Sequence, residues 1–248
     1  MHLHSHPHRA VAAITALALV LGACARPSGD AAALSGDAAP DAAAGAAPAA
    51  VVDVGILLLD KPFVTEFAGP LDVYHHVAGD KVNVFTVSDT ADELTTYEGM
   101  PFRANYTIAN APPIDVLVVP SGGGSLTVDP ENGPVIEWIK TTAATARYVT
   151  SHCEGAFLLG AAGLLDGKNA TTFHTDLEDL QSRHPTCQVK GGERIVVDGN
   201  LVTSAGGLAT YEAALYVVEQ LFGADEAETI ATALVFGESN VAEAMASR

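Results

Sequence analysis

A cysteine at the junction of a predicted strand and a predicted helix is the residue best suited to chemistry in this sequence. The segment Tyr148–Phe157 places Cys153 directly before the first turn of the helix. Unpaired N–H groups and the positive end of the helix dipole favour a thiolate there, and they can lower the thiol pKa from about 8.5 by one to several units. Gly155 permits the tight turn, as in the nucleophile elbow of hydrolases. These residues predict a nucleophilic cysteine; the alternative is a buried structural cysteine that packs as a small apolar side chain.

Strands and helices must alternate along the chain to place this cysteine at the end of a strand. Two near-continuous apolar runs, Val51–Leu59 and Asp115–Val119, have the composition of buried parallel strands, and Arg147–Ser151 is a third strand. The alternation predicts an α/β fold, a flavodoxin-like three-layer sandwich in which helices cover both faces of a mainly parallel sheet. Sites in such folds lie beyond the carboxyl ends of the strands. We therefore expect functional residues directly after each of these three strands.

The remaining patterned segments supply the helices, one further strand and a hairpin. The hairpin is signalled by the dipeptide Asp198-Gly199. We predict helices over Glu66–Val77, Pro130–Thr145, Glu154–Gly163, Asp176–Arg183, Leu208–Phe222 and Ala224–Val235, a strand over Val82–Val87, an edge or hairpin excursion over Met100–Ile108, and the hairpin itself over Ile195–Thr203.

Four segments spread between Val51 and Phe222 give the chain a resemblance to a known family. They are GILLLDKPFVTEFAGPLDVY, DVLVVPSGGG, VTSHCEGAFLLGAAGLLDGKNATT and DGNLVTSAGGLATYEAAL. In content, order and spacing they resemble the ThiJ/PfpI superfamily, which shares the class I glutamine amidotransferase-like fold. The phrases EFAGPLDV and GLLDGKNATT are most similar to the branch that holds isonitrile hydratases and the ligand-binding halves of AraC-type regulators.

The resemblance implies roles for five residues of this chain. Cys153 matches the family nucleophile, and Glu66 matches an acidic residue that lies against the thiol and, when protonated, donates a hydrogen bond to the thiolate. Gly122 and Gly123 match a glycine loop whose N–H groups, together with that of Glu154, hold a developing anion. The alternatives are a solvated acid at a helix N-terminus for Glu66, and a plain turn between strand and helix for the glycines.

The chain departs from the family pattern at three positions. Glu154 follows the nucleophile, where family proteases have His and isonitrile hydratases typically have Thr, so a Cys–His peptidase mechanism is disfavoured. Phe173 separates His174 from the Thr-Thr pair that a His directly follows in many relatives. His174 stays a candidate site residue, although a shift by one residue on a strand reverses the face of a side chain. Ser121 stands where the glycine loop usually has Gly.

The resemblance implies an enzyme that needs no cofactor. In the implied reaction Cys153 attacks an electrophilic carbon, Glu66 moves a proton, and water releases the product. An isonitrile would give an N-substituted formamide, and a 2-oxoaldehyde would give a hydroxy acid in a glyoxalase-like reaction. The alternative is a non-catalytic module that binds a ligand or senses oxidants through its thiol, and Glu154 favours that alternative. Relatives are often dimers, so the resemblance also implies a homodimer.

Composition limits the partners of the chain. Its 248 residues include 12 Lys and Arg against 30 Asp and Glu, and the formal net charge is −18. Such acidity argues against binding to nucleic acid, which requires a basic footprint. The partner that the resemblance implies is a small-molecule substrate or ligand. The sequence has no C-x-x-C pair and no clustered metal-ligand pattern, so we expect no metal site. Cys187 is expected to be a structural thiol.

The N-terminus has the pattern of an export signal. Ala10–Ala23 is an apolar run too short to span a bilayer comfortably, and it ends in Leu21-Gly22-Ala23-Cys24, which resembles a bacterial lipobox. We therefore expect residues 1–23 to be a signal peptide and the thiol of Cys24 to carry a lipid. The alternative is an ordinary secretory signal followed by an incidental cysteine.

Residues 24–50 are dominated by Ala, Gly, Pro, Ser and Asp, and they lack the apolar side chains that a core requires. This composition predicts a flexible tether between the lipidated cysteine and one domain over residues 51–248. The expected location is outside the cytoplasm, with the lipid as an anchor in a membrane of the bacterial cell envelope.

Overall fold

The structure is a computed structural model that describes residues 51–236 of the chain. The predicted signal peptide, the predicted lipidation site Cys24, the predicted tether and residues 237–248 lie outside the described residues. Each helix within residues 51–236 is too short or too polar to cross a membrane.

The chain alternates strands and helices over this range, as the sequence predicts. In order the elements are β1 (Val52–Leu57), α1 (Val64–His75), β2 (Val82–Ser88), β3 (Leu94–Thr95), β4 (Pro101–Phe102), β5 (Tyr106–Thr107), β6 (Val116–Val119), a 3₁₀ turn (Asp129–Glu131), α2 (Gly133–Ala143), β7 (Tyr148–His152), α3 (Gly155–Ala161), β8 (Asn169–Ala170), α4 (Leu177–Arg183), β9 (Gln188–Val189), β10 (Ile195–Asp198), β11 (Leu201–Ser204), α5 (Ala209–Phe222) and α6 (Ala224–Ala233).

A seven-stranded sheet forms the middle layer of the fold. Its strand order is β10-β11-β7-β6-β1-β2-β5. All neighbouring strands are parallel except β10, which pairs antiparallel with β11 across the predicted hairpin turn. The predicted mainly parallel α/β sandwich is therefore confirmed.

Alternating side chains on the buried strands produce two apolar layers. On β6, Val116 and Val118 pack with α1, α5 and α6, whereas Leu117 and Val119 pack with α2, α3 and α4. All four side chains are inaccessible to solvent. A strand that is buried on both faces needs apolar residues at every position, which is why these strands read as continuous apolar runs rather than as alternating ones.

The structure differs from the predicted elements mainly where the elements are very short. β3 with β4, and β8 with β9, form two-stranded sheets outside the main one, and two-residue strands leave no periodicity to detect. The excursion predicted over Met100–Ile108 contains β4 and β5. The helix predicted from Pro130 begins at Gly133, because Asn132 caps it by accepting a hydrogen bond from the Val135 N–H over 3.4 Å.

The loops that follow the parallel strands are tied to one another at one edge of the sheet. The Phe63 N–H donates to the Ser121 carbonyl oxygen over 3.1 Å, which joins the loop after β1 to the loop after β6. Helix α3 begins so close to β6 that a side chain on Gly155 would overlap the Val119 carbonyl oxygen. These contacts bring residues that are far apart in sequence to the carboxyl ends of the strands.

Candidate active site

Cys153 lies between β7 and α3 in a left-handed backbone conformation. Its φ of 54° is uncommon for a residue with a side chain, and it requires support from the surrounding structure. The Cys153 N–H donates to the Ser204 carbonyl oxygen over 3.0 Å, and the Thr172 hydroxyl donates to the Cys153 carbonyl oxygen over 2.9 Å. The cysteine is 7% exposed. The result is a strand–turn–helix elbow that holds a thiol just below the surface.

Glu66, in the first turn of α1, faces the same point as the thiol. It is 4% exposed, and its Oε1 accepts a hydrogen bond from the Gly207 N–H over 2.8 Å. A Cβ on Gly206 would lie 2.9 Å from the Cys153 Sγ and 3.0 Å from the Glu66 Oε1. The thiol and the carboxyl group therefore both border the same residue, which must lack a side chain.

Gly206 and Gly207 are the site residues that sequence reasoning missed. They follow β11, and Gly206 has a φ of 83°, a conformation that glycine adopts without strain. They lie within the SAGG stretch of one family-like segment. That resemblance was the signal that could have assigned them a role, because no local pattern shows that the loop after β11 reaches the thiol.

The environment raises the pKa of the Glu66 carboxyl group and of the Cys153 thiol. Burial raises the pKa of Glu66 to about 7, the hydrogen bond from Gly207 opposes this shift, and the charge of Glu154 adds to it. Burial also raises the pKa of the Cys153 thiol, and the charges of Glu66 and Glu154 raise it further. Two neighbouring buried acids disfavour a second negative charge, so the pair of Cys153 and Glu66 retains a proton near neutral pH.

This direction differs from the lowered thiol pKa that the sequence predicts. The helix N-terminus does follow Cys153, but the thiol is buried and has two carboxyl neighbours that oppose the thiolate. Helix propensity and turn glycines are visible in the sequence, whereas burial and the distances between remote carboxyl groups are not. The thiol pKa therefore differs from the prediction because of tertiary structure, which buries the thiol and brings remote carboxyl groups to it.

Two of the three residues that depart from the family pattern, Glu154 and Ser121, lie at the thiol. Glu154 is within hydrogen-bonding reach of the Cys153 thiol through its carboxylate and raises the thiol pKa. Ser121 is 1% exposed and lowers the thiol pKa, although its Oγ has no partner at full hydrogen-bond geometry among residues 51–236. The site thus combines one thiol, two carboxyl groups and one hydroxyl group.

The glycine loop is present, but its amides already have acceptors. The Gly122 N–H donates to the Ser125 Oγ over 2.9 Å, and the Gly123 N–H donates to the Lys61 carbonyl oxygen over 2.9 Å. Within the described part of the chain the Glu154 N–H has no acceptor. In this conformation Glu154 supplies the free donor, and anion binding by Gly122 and Gly123 stays a prediction.

The structure does not bring His174 to the thiol. His174 is exposed in the turn after β8, and its ring lies against that of Phe173 with centroids 4.3 Å apart. No hydrogen bond or ion pair within residues 51–236 joins it to Cys153 or to Glu66. Thr172, two residues earlier, makes the contact with the elbow instead. A role for His174 stays a prediction.

His152 and Cys187 are packed side chains. His152 is 1% exposed, its Nδ1 lies 2.9 Å from the Ser204 Oγ, and burial lowers its pKa to about 3, so it is a neutral, packed histidine. Cys187 is buried in the apolar layer under α4, as expected of a structural thiol. No group of three or more His, Cys, Asp or Glu in the described residues is arranged to hold a metal ion.

We expect Glu66→Gln to remove a pH dependence of folding stability between about pH 4.5 and 7. The folded protein raises the Glu66 pKa from 4.5 to about 7, so it binds this proton more tightly than the unfolded chain does. The resulting stabilisation is complete below pH 4.5 and is lost as the pH rises through 7. The shift corresponds to about 3 kcal/mol in the free energy of unfolding.

Denaturant unfolding at several pH values measures this effect in the wild-type protein and in Glu66→Gln. Asp129→Asn is the comparison, because burial raises the pKa of Asp129 to about 6 and Asp129 does not contribute to the shifts of Glu66 and Cys153. Asp129→Asn should therefore keep most of the Glu66 effect. Identical pH profiles for the wild-type protein and Glu66→Gln would contradict the placement of this carboxyl group.

The part of the chain that forms the sheet and the site matches known proteins. The model of the DJ-1/PfpI family matches residues 53–220. The isonitrile hydratase of Pseudomonas putida is 36% identical over 181 residues, which are 72% of this chain and 76% of that protein. The HTH-type transcriptional regulator GbdR of Pseudomonas aeruginosa is 25% identical over 189 residues, which are 74% of this chain and 50% of the regulator.

Solved structures agree with the fold described above. A ThiJ/PfpI family protein from Pseudomonas syringae superposes with a TM-score of 0.71 at 24% sequence identity, and the match covers 78% of each chain. At this identity the likeness shows the fold alone, and the family assignment rests on the sequence match over residues 53–220. The chain belongs to the DJ-1/PfpI family.

Proposed function

We propose that this protein hydrates a small electrophile through Cys153, in the manner of an isonitrile hydratase. The observation that carries the proposal is the buried pair of Cys153 and Glu66, which retains a proton near neutral pH. The similarity to an isonitrile hydratase over 76% of that protein's length supports the choice of reaction. The proposed roles are nucleophile for Cys153 and proton carrier for Glu66.

A protonated thiol suits this addition because the reaction consumes the proton. The sulfur forms a bond to the terminal carbon of the isonitrile, and Glu66 transfers the thiol proton to the same carbon, which gives a thioformimidate and releases nothing. Water then adds to this carbon, the C–S bond breaks, the sulfur regains a proton and an N-substituted formamide leaves. One isonitrile and one water thus give one formamide.

The depth of the thiol favours a slender electrophile. Cys153 is 7% exposed, so a group that approaches end-on can reach the sulfur more easily than a polypeptide backbone can. A peptidase would also need an imidazole beside the thiol, and Glu154 occupies the position that follows Cys153. A 2-oxoaldehyde, in a glyoxalase-like reaction, is the second electrophile that the same groups could process.

A non-catalytic ligand-binding module is the alternative, and one observation favours it. The N–H groups of Gly122 and Gly123 donate within the chain, so they do not face a developing anion in this conformation. Redox sensing is less well supported, because oxidation proceeds through the thiolate and the pKa of Cys153 is raised.

We also propose that the protein is a homodimer. Sedimentation analysis would measure this oligomeric state.

Turnover of isonitriles tests the proposed function. We expect formamide production by the wild-type protein, none by Cys153→Ser, and a rate lowered by about 10²-fold or more in Glu66→Gln, because general acid–base catalysis contributes this much. Nuclear magnetic resonance can follow the formyl proton. Cys187→Ser is the matched control, and it should retain the rate because Cys187 is buried away from the elbow. Ligand-induced thermal stabilisation without turnover of any isonitrile or 2-oxoaldehyde would favour the binding module.

We also propose that the protein is exported and anchored to the bacterial cell envelope through Cys24, on the strength of the sequence pattern alone. Cells grown with a labelled fatty acid should incorporate the label into the wild-type protein and into Cys187→Ser. Cys24→Ala should lose the label and leave the membrane fraction. Label that persists in Cys24→Ala would contradict the predicted lipid attachment.

A further inference from the structure

Two carboxyl oxygens at the thiol have no hydrogen-bond donor. The Oε2 of Glu66 and the Oε2 of Glu154 are both inaccessible to solvent and unpartnered among residues 51–236. Buried polar atoms in folded proteins are nearly always paired, so an unpaired oxygen indicates a position that a ligand can satisfy. Glu66 is only 4% exposed, and it lies beside the nucleophile.

The ionisable side chains that act on the thiol are acidic. The charge of Glu154 raises the pKa of Glu66, and both carboxyl groups raise the pKa of Cys153. Lys61 is the cationic residue of the neighbouring loop, but its side-chain stem runs along Gly123 and it contributes to neither shift. Of the side chains that shift the pKa of the thiol, Ser121 alone favours the thiolate, and its hydroxyl is neutral.

We propose that this site selects electrophiles that carry a positive charge close to the reactive carbon. An ammonium group held at the sulfur would be attracted by the carboxyl groups of Glu66 and Glu154 and would offset their mutual repulsion. A carboxylate or sulfonate at the same place would add a third negative group to a buried site. The inference rests on the proposed function in one respect, which is that Cys153 is the nucleophile.

Matched thiol reagents of opposite charge test the selection. The probes are 2-aminoethyl, 2-sulfonatoethyl and methyl methanethiosulfonate. With each probe the cysteine sulfur forms a disulfide to the transferred group, methanesulfinate leaves and the thiol proton goes to water. Rates at Cys153 in the full-length protein are measured by peptide mass spectrometry, and each is divided by the rate of free cysteine with the same probe.

Two variants distinguish the effect of the charges at the site from the effect of the net charge of the chain. In the wild-type protein we expect the normalised rate of the cationic probe to exceed that of the anionic probe by at least about 10-fold. Glu154→Gln should reduce this ratio several-fold while the rate of the neutral probe changes less. Glu178→Gln removes an equal charge from the exposed surface of α4, and it should leave the ratio unchanged.

Each outcome bears on one proposal. A wild-type ratio near one, or a ratio that Glu154→Gln and Glu178→Gln reduce equally, would overturn the proposed charge selection. A protein that shows the ratio but hydrates no isonitrile contradicts the proposed function alone. A protein that hydrates isonitriles without the ratio contradicts the charge selection alone.

Discussion

The buried juxtaposition of the Glu66 carboxyl group and the Cys153 thiol beside Gly206 is the constraint on which the rest of the site depends. Three remote segments create it, since α1 supplies the carboxyl group, the end of β7 supplies the thiol and the loop after β11 supplies Gly206 beneath them. The Gly207 N–H fixes one carboxyl oxygen at 2.8 Å. The parallel sheet makes this possible because it brings the carboxyl ends of these strands to one edge.

This juxtaposition also decides which chemistry the thiol can perform. Burial and neighbouring negative charge hold a proton on the pair of Cys153 and Glu66, so a free thiolate is disfavoured at neutral pH. Acyl transfer from a peptide needs a nucleophilic thiolate and a base. Addition of an S–H group to an isonitrile carbon instead consumes the proton that the pair of Cys153 and Glu66 retains. Glu154 accentuates this difference, because it is a second carboxyl group where a protease of the family would have an imidazole.

The sequence predicts the fold and the elbow well, because both depend on local pattern. Apolar runs of strand length predict the buried strands, and Gly155 after Cys153 predicts a tight turn, which the structure explains by the closeness of the Val119 carbonyl oxygen. The resemblance to a family directed attention to Glu66. The direction of the thiol pKa could not be predicted, because it depends on burial and on the approach of Glu66, which lies 87 positions earlier in the chain.

The most direct test of the proton that Cys153 and Glu66 retain is the pH dependence of Cys153 alkylation by iodoacetamide. It is measured in the wild-type protein and in Glu66→Gln. Peptide mass spectrometry separates Cys153 from the other two cysteines. Because the charge of Glu66 raises the thiol pKa, its removal should shift the midpoint of the profile to lower pH by about one unit or more. A midpoint that is unchanged, or that moves to higher pH, would contradict the account.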